Sequence, residues 1–313
     1  MKIAFLADSL DSFKVWKDST FAMMVEAQKR GHVIHAFEPQ DMAYSDGDIV
    51  ARARQIVLTG KEDADWYCSE EKALFPLSGF DAVIVRKDPP FDMNYLYSTY
   101  LLDLAGAAGA RIFNRPAALR DYNEKMAIAR FPQFVVPTLV SSDDALLREF
   151  HAQHGDVIFK PLDGMGGAGI FRILGDGMNM GSVIETLTGN GDRAIMAQKF
   201  IPQIALGDKR VLLINGKVVP YALARIPQKG DIRGNLAAGA QGVAQPLSER
   251  DREIAETLAP KLAAEGLFLV GLDIIGDWLT EINVTSPTCF REIAAQTGFN
   301  VAEMFFNALD ETI

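Results

Sequence analysis

Short hydrophobic runs, separated by polar and glycine-containing turns, divide the chain into two halves of different character. In the first half, strand and helix signals alternate. The opening run KIAFLAD reads as a buried strand. The segment after it offers Asp18 or Ser19 as a helix N-cap, apolar Phe21, Met24 and Val25 at helical spacing, and Gly31 as a stop. HVIHAF and DAVIVRKD read as the next strands, the latter closed by Pro89 and Pro90, which cannot extend a ladder. A helix around Tyr95–Ala105 and a strand ARIFN follow. Strands alternating with helices predict a mostly parallel, doubly wound α/β sheet.

From about Asn123 the pattern shifts to antiparallel α+β. VVPTLV and the helix DDALLREFHAQHG lead to the strand DVIFKPL, a glycine-rich turn, and the strands GIFRIL and RAIMAQKFI. In RVLLINGKVVPYALARI, Asn215-Gly216 sits between two apolar runs, the strongest short hairpin signal. Residues 227–242, PQKGDIRGNLAAGAQG, lack periodicity and read as a long mobile lid. A helix Glu249–Glu265, a hairpin FLVGLDIIGDWLTEINVTSP and a last helix complete the chain. This predicts a domain over 1–122 and a second over 123–313, with a cleft between tightly packed parts.

The chain has 313 residues, 49% hydrophobic and 23% charged, which suits a soluble protein with more than one core. No apolar run reaches the roughly 18–20 residues that cross a bilayer. The start lacks the features of a secretory signal, so a cytoplasmic location and no membrane partner are expected. Two cysteines, Cys68 and Cys289, lie in no metal-type spacing. A net charge of −10 argues against broad nucleic-acid binding.

Three features carry chemistry. In FKPLDGMGGAGIF, Lys160 ends a strand just before Gly164, Gly166, Gly167 and Gly169. Backbone N–H groups of such a turn can approach phosphate oxygens while the lysine adds charge, although a plain hairpin turn has the same glycines. It lacks the ending of a Walker A loop, and LADSLDSF after the first strand lacks the dinucleotide fingerprint, which excludes a nicotinamide dehydrogenase. In LDIIGDWLTEINVTSP, a turn near Asp277 would bring Asp273 opposite Glu281, with Asn283 on the same face. Two carboxylates and an amide oxygen form a hard-oxygen set for magnesium, with manganese as the alternative ion; the competing reading is a half-exposed polar sheet face. The third feature is Arg86, Arg210, Arg225 and Arg233. Arg86 ends a parallel strand, where open sheets place ligands. Each singly fits a surface salt bridge, and together they suggest capture of an anionic substrate.

With these residues in place, the chain resembles the ATP-grasp superfamily, and within it the family of bacterial glutathione synthetases. KDSTFAM, RKDPPFD, NRP, LRDYNEKM, FKPLDGMGGAGIFR, GDKRVLLINGKVVPYALARIP, RGNLAAG and VGLDIIGDWLTEINVTSPT follow that family's segments in order along nearly the whole chain. The resemblance implies an N-terminal substrate-binding domain over 1–122 and an ATP-grasp domain over 123–313, with a nucleotide-clamping subdomain to 202. It implies ligation of γ-glutamylcysteine and glycine with ATP and magnesium. Lys125 and Lys160 would contact ATP phosphates, with Gly166 and Gly167 closing over them. Gln198, Lys199 and Ile201 would offer backbone groups to adenine, and Asp208 would hold the ribose. Asp273, Glu281 and Asn283 would bind metal. Arg210 and Arg225 would stabilise the reacting carboxylate, Arg233 and Asn235 would cover substrate, and Arg86, with Ser19, would face the γ-glutamyl end. The lid reads Gly239-Ala240 where the family pattern has two glycines. A homo-oligomer is expected. The alternatives are another ATP-grasp ligase with a different amino acid, or a nucleotide-binding protein without turnover.

Overall fold

The computed structural model describes residues 1–236 and 239–313; Ala237 and Ala238, inside the lid expected over 227–242, lie outside the described residues. Among the described residues the strands form three sheets. The first has a parallel core in the order Val33–Phe37, Lys2–Leu6, Ala82–Val85, Ile112–Phe113. This is the α/β unit that the alternating signals predict. Asp18 caps its first helix, Ser19–Lys29, by accepting a hydrogen bond from the Phe21 amide at 2.8 Å. The sequence reading leaves residues 42–76 unassigned. Here the long strand Asp48–Leu58 pairs antiparallel with Val33–Phe37, Met42–Ser45, Tyr67–Ser69 and Ala73–Pro76. The Asp46-Gly47 turn between Met42–Ser45 and Asp48–Leu58 is itself a hairpin signal.

The second sheet is antiparallel, in the order Phe171–Ile173, Val157–Pro161, Ile195–Lys199, Thr138–Ser141. Leu147 and Phe150 of the helix Asp144–His154, with Val183 and Ile184 of the helix Met180–Thr188, cover one face through Val157, Phe159, Ile195 and Ala197. Strand alternation therefore turns Ile158, Lys160 and Gln198 to the opposite face.

The third sheet is also antiparallel, in the order Gln241–Pro246, Lys217–Ile226, Asp208–Ile214, Leu269–Ile275, Trp278–Asn283. The helix Glu249–Ala264 packs Ile254, Leu258 and Leu262 on one face, with Val211, Leu213 and Leu272. On the other face, Leu212, Ile214 and Leu223 join a core shared with Ile3, Phe5 and Met24 of the N-terminal sheet and helix. A single core crossing between the halves explains why no flexible linker separates them.

Two expectations change. Gln241 and Gly242, expected in the lid, begin a strand paired to Ile226 and Arg225. The expected single last helix is two, Phe290–Thr297 and Val301–Asp310, because Gly298 caps the first in the left-handed conformation.

Asn114 ties the N-terminal sheet to the third. Its buried side chain donates to the carbonyls of Leu269 at 2.8 Å and Val284 at 2.7 Å, and accepts from the Leu269 amide at 2.8 Å. Asn114→Ala leaves these three backbone groups without that partner. The expected cost is about 2–4 kcal/mol, read as a lower urea midpoint; an unchanged midpoint would show that the clamp is dispensable.

Candidate functional site

A cleft of about 480 Å³ opens between the second and third sheets, with one end walled by the N-terminal domain. On the second-sheet side, Lys160 reaches it from the strand Val157–Pro161. Lys125, at the start of the second domain, donates to the Gly164 carbonyl at 2.5 Å and thereby pins the glycine-rich turn. Each lysine ammonium stands 3.7 Å from the same Glu281 oxygen, Oε1. Burial pulls the Lys160 ammonium below its ordinary value, and Glu281 opposes this. Gly166 and Gly167 line the cleft beside them. Gly167 takes φ +82°, and a Cβ there would lie 2.7 Å from Asn235 Oδ1 and 3.0 Å from Arg233 Cδ. The glycine-rich turn and the lid segment thus touch at a point that admits only glycine.

The third sheet sets the charged floor. Register pairs Asp273 with both Glu281 and Arg210, as the turn at Asp277 predicts for the first pair, and pairs Asp208 with Arg225. Arg210 donates through Nε to Asp273 Oδ1 at 2.5 Å and through Nη2 to Oδ2 at 3.1 Å. Arg225 Nη2 lies 2.5 Å from Asp208 Oδ2 and 2.9 Å from Asp273 Oδ2. Burial alone would raise the Asp273 carboxyl, but Arg210 and Arg225 hold it well below the usual carboxylate range. The Asp208 carboxyl is pushed up by burial, against Arg225, and its Oδ1 is buried without a partner. Gly271 makes room for this network, since a Cβ there would meet Arg210 Cδ at 2.8 Å.

The donors fit magnesium held partly by phosphate. Among the described residues, no three His, Cys, Asp or Glu side chains converge as a ready cage. Asp273 and Glu281 with the Asn283 amide all border the cleft, and Asp208 adds an unbonded buried oxygen. Two acids and an amide leave positions open, which is how magnesium is held when phosphates and water complete its shell.

Gln198, Lys199 and Ile201 form the cleft rim on the second sheet, with Gln198 Nε2 bonded to Thr138 Oγ1 at 3.0 Å. Arg233, partly exposed, pairs with Asp231, and Asn235 faces the glycine-rich turn. Arg86 and Ser19 are not among the lining residues. Arg86 is buried behind the wall, donating from Nε to Thr20 Oγ1 at 3.0 Å and from Nη2 to the Pro287 carbonyl at 2.9 Å. Burial weighs against its charge, and Asp88 and Asp18 offset this. Ser19 Oγ accepts from the Phe290 amide. The sequence reading missed Glu124, Lys17, Asp18, Asp88 and Glu292, and the hydroxyls Thr285, Ser286 and Thr288, which line the cleft. The hydroxyls stand in the polar run immediately after Asn283, where they could have been found; Glu124 precedes Lys125 and carries no pattern of its own.

The chain matches the prokaryotic glutathione synthetase N-terminal domain over residues 1–120 and the ATP-grasp domain of the same family over residues 124–298. It is 61% identical to a glutathione synthetase of Ralstonia nicotianae over 310 residues, covering 99% of this chain and 95% of that one. It is 57% identical to a glutathione synthetase of Nitrosomonas europaea, covering 100% and 98%. In fold it is similar to D-cycloserine synthetase DcsG, with a TM-score of 0.69, 18% identity and 99% of each chain covered. It is also similar to the ATP-grasp ligase PsnB complexed with a minimal precursor, Mg and ADP, with a TM-score of 0.62, 17% identity, and 99% and 97% covered.

Asp273→Asn removes the anion between two buried guanidinium groups. The expected loss is about 3–5 kcal/mol of folding stability, measured by chemical denaturation; a variant as stable as the parent would show that Asp208 alone satisfies both arginines.

Proposed function

The chain belongs to the prokaryotic glutathione synthetase family, and on that footing we propose that it ligates γ-glutamylcysteine to glycine, releasing ADP and phosphate through an acyl phosphate. The observation that carries this reading is the buried Arg210–Asp273–Arg225 network opposite Lys125, Lys160 and Glu281 in one cleft. Such an arrangement suits phosphoryl transfer to a carboxylate, because it holds cations fixed where negative charge gathers.

A carboxylate does not acylate an amine at neutral pH. Lys125 and Lys160 bind the ATP phosphates, and Gly166 and Gly167 let backbone amides close over them. Gln198, Lys199 and Ile201 hold adenine, and Asp208 faces the ribose. Asp273, Glu281 and Asn283 hold magnesium, with manganese able to replace it, and the metal neutralises phosphate charge when bound. Arg210 and Arg225 orient the peptide carboxylate for in-line attack and then stabilise the tetrahedral oxyanion. Arg233 and Asn235 cover the cleft, since the acyl phosphate hydrolyses if water enters. Arg86 acts from behind, fixing the Pro287 carbonyl and hence the polar loop that faces the γ-glutamyl end. Residues 1–122 serve as the substrate-binding domain and 123–313 as the ATP-grasp domain.

No helix among the described residues is long and apolar enough to cross a membrane. The reading places the enzyme in the cytoplasm, where its cysteines stay reduced. It also extends to a homo-oligomer. Met93, Tyr97, Tyr100 and Leu104 form one stripe on the helix Met93–Ala107 and are 56%, 55%, 48% and 52% exposed. A contiguous apolar stripe of this kind suits burial against a second copy. Light scattering of the purified chain should give a multimer, and a monomer at micromolar concentration would overturn the assembly.

ADP release with γ-glutamylcysteine and single added amino acids tests the substrates. Glycine is expected to give strong turnover; turnover only with another amine or carboxylate would overturn the substrate claim, and none with any pair would overturn the activity. Glu281→Gln should lower magnesium-dependent turnover by at least about 100-fold; turnover equal to that of the parent would overturn the role given to Glu281.

A further inference from the structure

The proposed chemistry leaves one proton unassigned. Glycine meets the acyl phosphate as an ammonium ion at neutral pH, and an ammonium nitrogen has no lone pair with which to attack. The cleft must hold a group that accepts that proton, close to the phosphate-facing lysines and free of a competing cation.

The carboxylates lining the cleft differ in how they are committed. Asp273 is bonded to Arg210 and Arg225, and Asp208 to Arg225. Glu281 is shared between Lys125 and Lys160. Asp18 accepts the Phe21 amide as a helix cap. Asp88, Glu124 and Glu292 remain without an ion pair among the described residues; Asp88 and Glu292 belong to the N-terminal end of the cleft, and Glu124 to the end beside Lys125 and Glu281. The Glu124 carboxylate accepts a hydrogen bond from the Thr285 hydroxyl at 2.8 Å with no ion pair within 4.0 Å among the described residues. Its backbone carbonyl accepts from the Ile282 amide at 2.8 Å, which fixes it against the strand Trp278–Asn283. We infer that Glu124 receives the incoming amine and takes its proton before attack. The inference rests on the ligase reading above.

The groups bearing on Glu124 belong to the reacting centre: Glu281 from the adjacent strand, Lys125 from the next residue, Arg210 from the strand Asp208–Ile214, and the Thr285 hydroxyl. Tyr95 faces it from the helix Met93–Ala107. By contrast, the charges bearing on Asp18 and Glu292 are Arg86, Asp88, Lys17 and Arg291, at the N-terminal end of the cleft. Burial raises the Glu124 carboxyl above its ordinary value, helped by Glu281 and opposed by the Thr285 hydrogen bond, which makes it a stronger proton acceptor than an ordinary carboxylate.

The step balances as follows. One proton passes from the ammonium to a Glu124 carboxylate oxygen, and the freed lone pair attacks the acyl carbon. The C–N bond forms, the C–O bond to phosphate breaks, and its electrons leave with inorganic phosphate. The nitrogen then loses its second proton to the departing phosphate, and Glu124 returns its own to water.

Hydroxylamine separates this role from a structural one, because it is already unprotonated at neutral pH and captures acyl phosphates as hydroxamates. In the full-length chain, with parent turnover on glycine as the control for the ligase reading, Glu124→Gln should lower glycine-dependent ADP release by at least about 100-fold. Hydroxylamine-dependent ADP release should stay within a few-fold of the parent, and Glu124→Asp should recover part of the glycine rate. Glycine turnover equal to the parent, or equal loss with both amines in a variant that still binds ATP, would overturn the assignment. A Glu124→Gln chain that fails to fold passes the decision to Thr285→Val, which removes the hydroxyl that orients Glu124 and should also lower the glycine rate more than the hydroxylamine rate; equal effects on the two would overturn it.

Discussion

The buried pairing of Arg210 and Arg225 with Asp273 and Asp208 governs much of the third sheet. Arg210, Arg225 and Asp273 are each at most 6% exposed, so none could stay charged there without partners. Each carboxylate must be met by a guanidinium at hydrogen-bonding distance, and antiparallel register supplies that by setting Arg210 across from Asp273 and Asp208 across from Arg225. A one-residue slip in either ladder would turn the charges into the core under the helix Glu249–Ala264. The network is costly to desolvate and gains little net stability as an ion cluster. What it provides is two guanidinium groups held in fixed positions at the floor of the cleft.

The same constraint ties the domains together. The strand Leu269–Ile275 carries Asp273 on its cleft side, and its first residue is clamped by Asn114 from the N-terminal sheet. The polar loop after Asn283 is held by Arg86 through the Pro287 carbonyl and by Thr285 through Glu124. Residues from both domains thereby fix one hairpin. The glycine-rich turn and the lid meet over it at Gly167.

Much of this was legible in the sequence where local pattern and register decide geometry. Asp273 opposite Glu281 follows from the turn at Asp277, and Lys160 beside the glycine-rich turn follows from chain order. Arg86 shows where such reasoning stops: the end of a parallel strand suggested a ligand contact, yet the side chain turns behind the wall to a carbonyl 201 residues away. The strands over 42–76 escaped because three short partners share one long strand, and each is too short to show a period. Glu124 escaped because its place in the cleft is set by Thr285 and the strand Trp278–Asn283, far along the chain, which only tertiary structure reveals. The lid was readable as irregular chain, but its end was not, since Gln241–Pro246 has the composition of a loop and is a strand through its pairing with Tyr221–Ile226.

The central claim is that the cleft activates the peptide carboxylate by phosphorylation. It is tested most directly by following oxygen. γ-Glutamylcysteine labelled with ¹⁸O in its cysteinyl carboxylate should deliver one labelled oxygen to inorganic phosphate in each turnover, seen by mass spectrometry of the phosphate released with ADP. Unlabelled phosphate, with the oxygen lost from the carboxylate recovered in water instead, would contradict an acyl phosphate and with it the role assigned to Arg210 and Arg225.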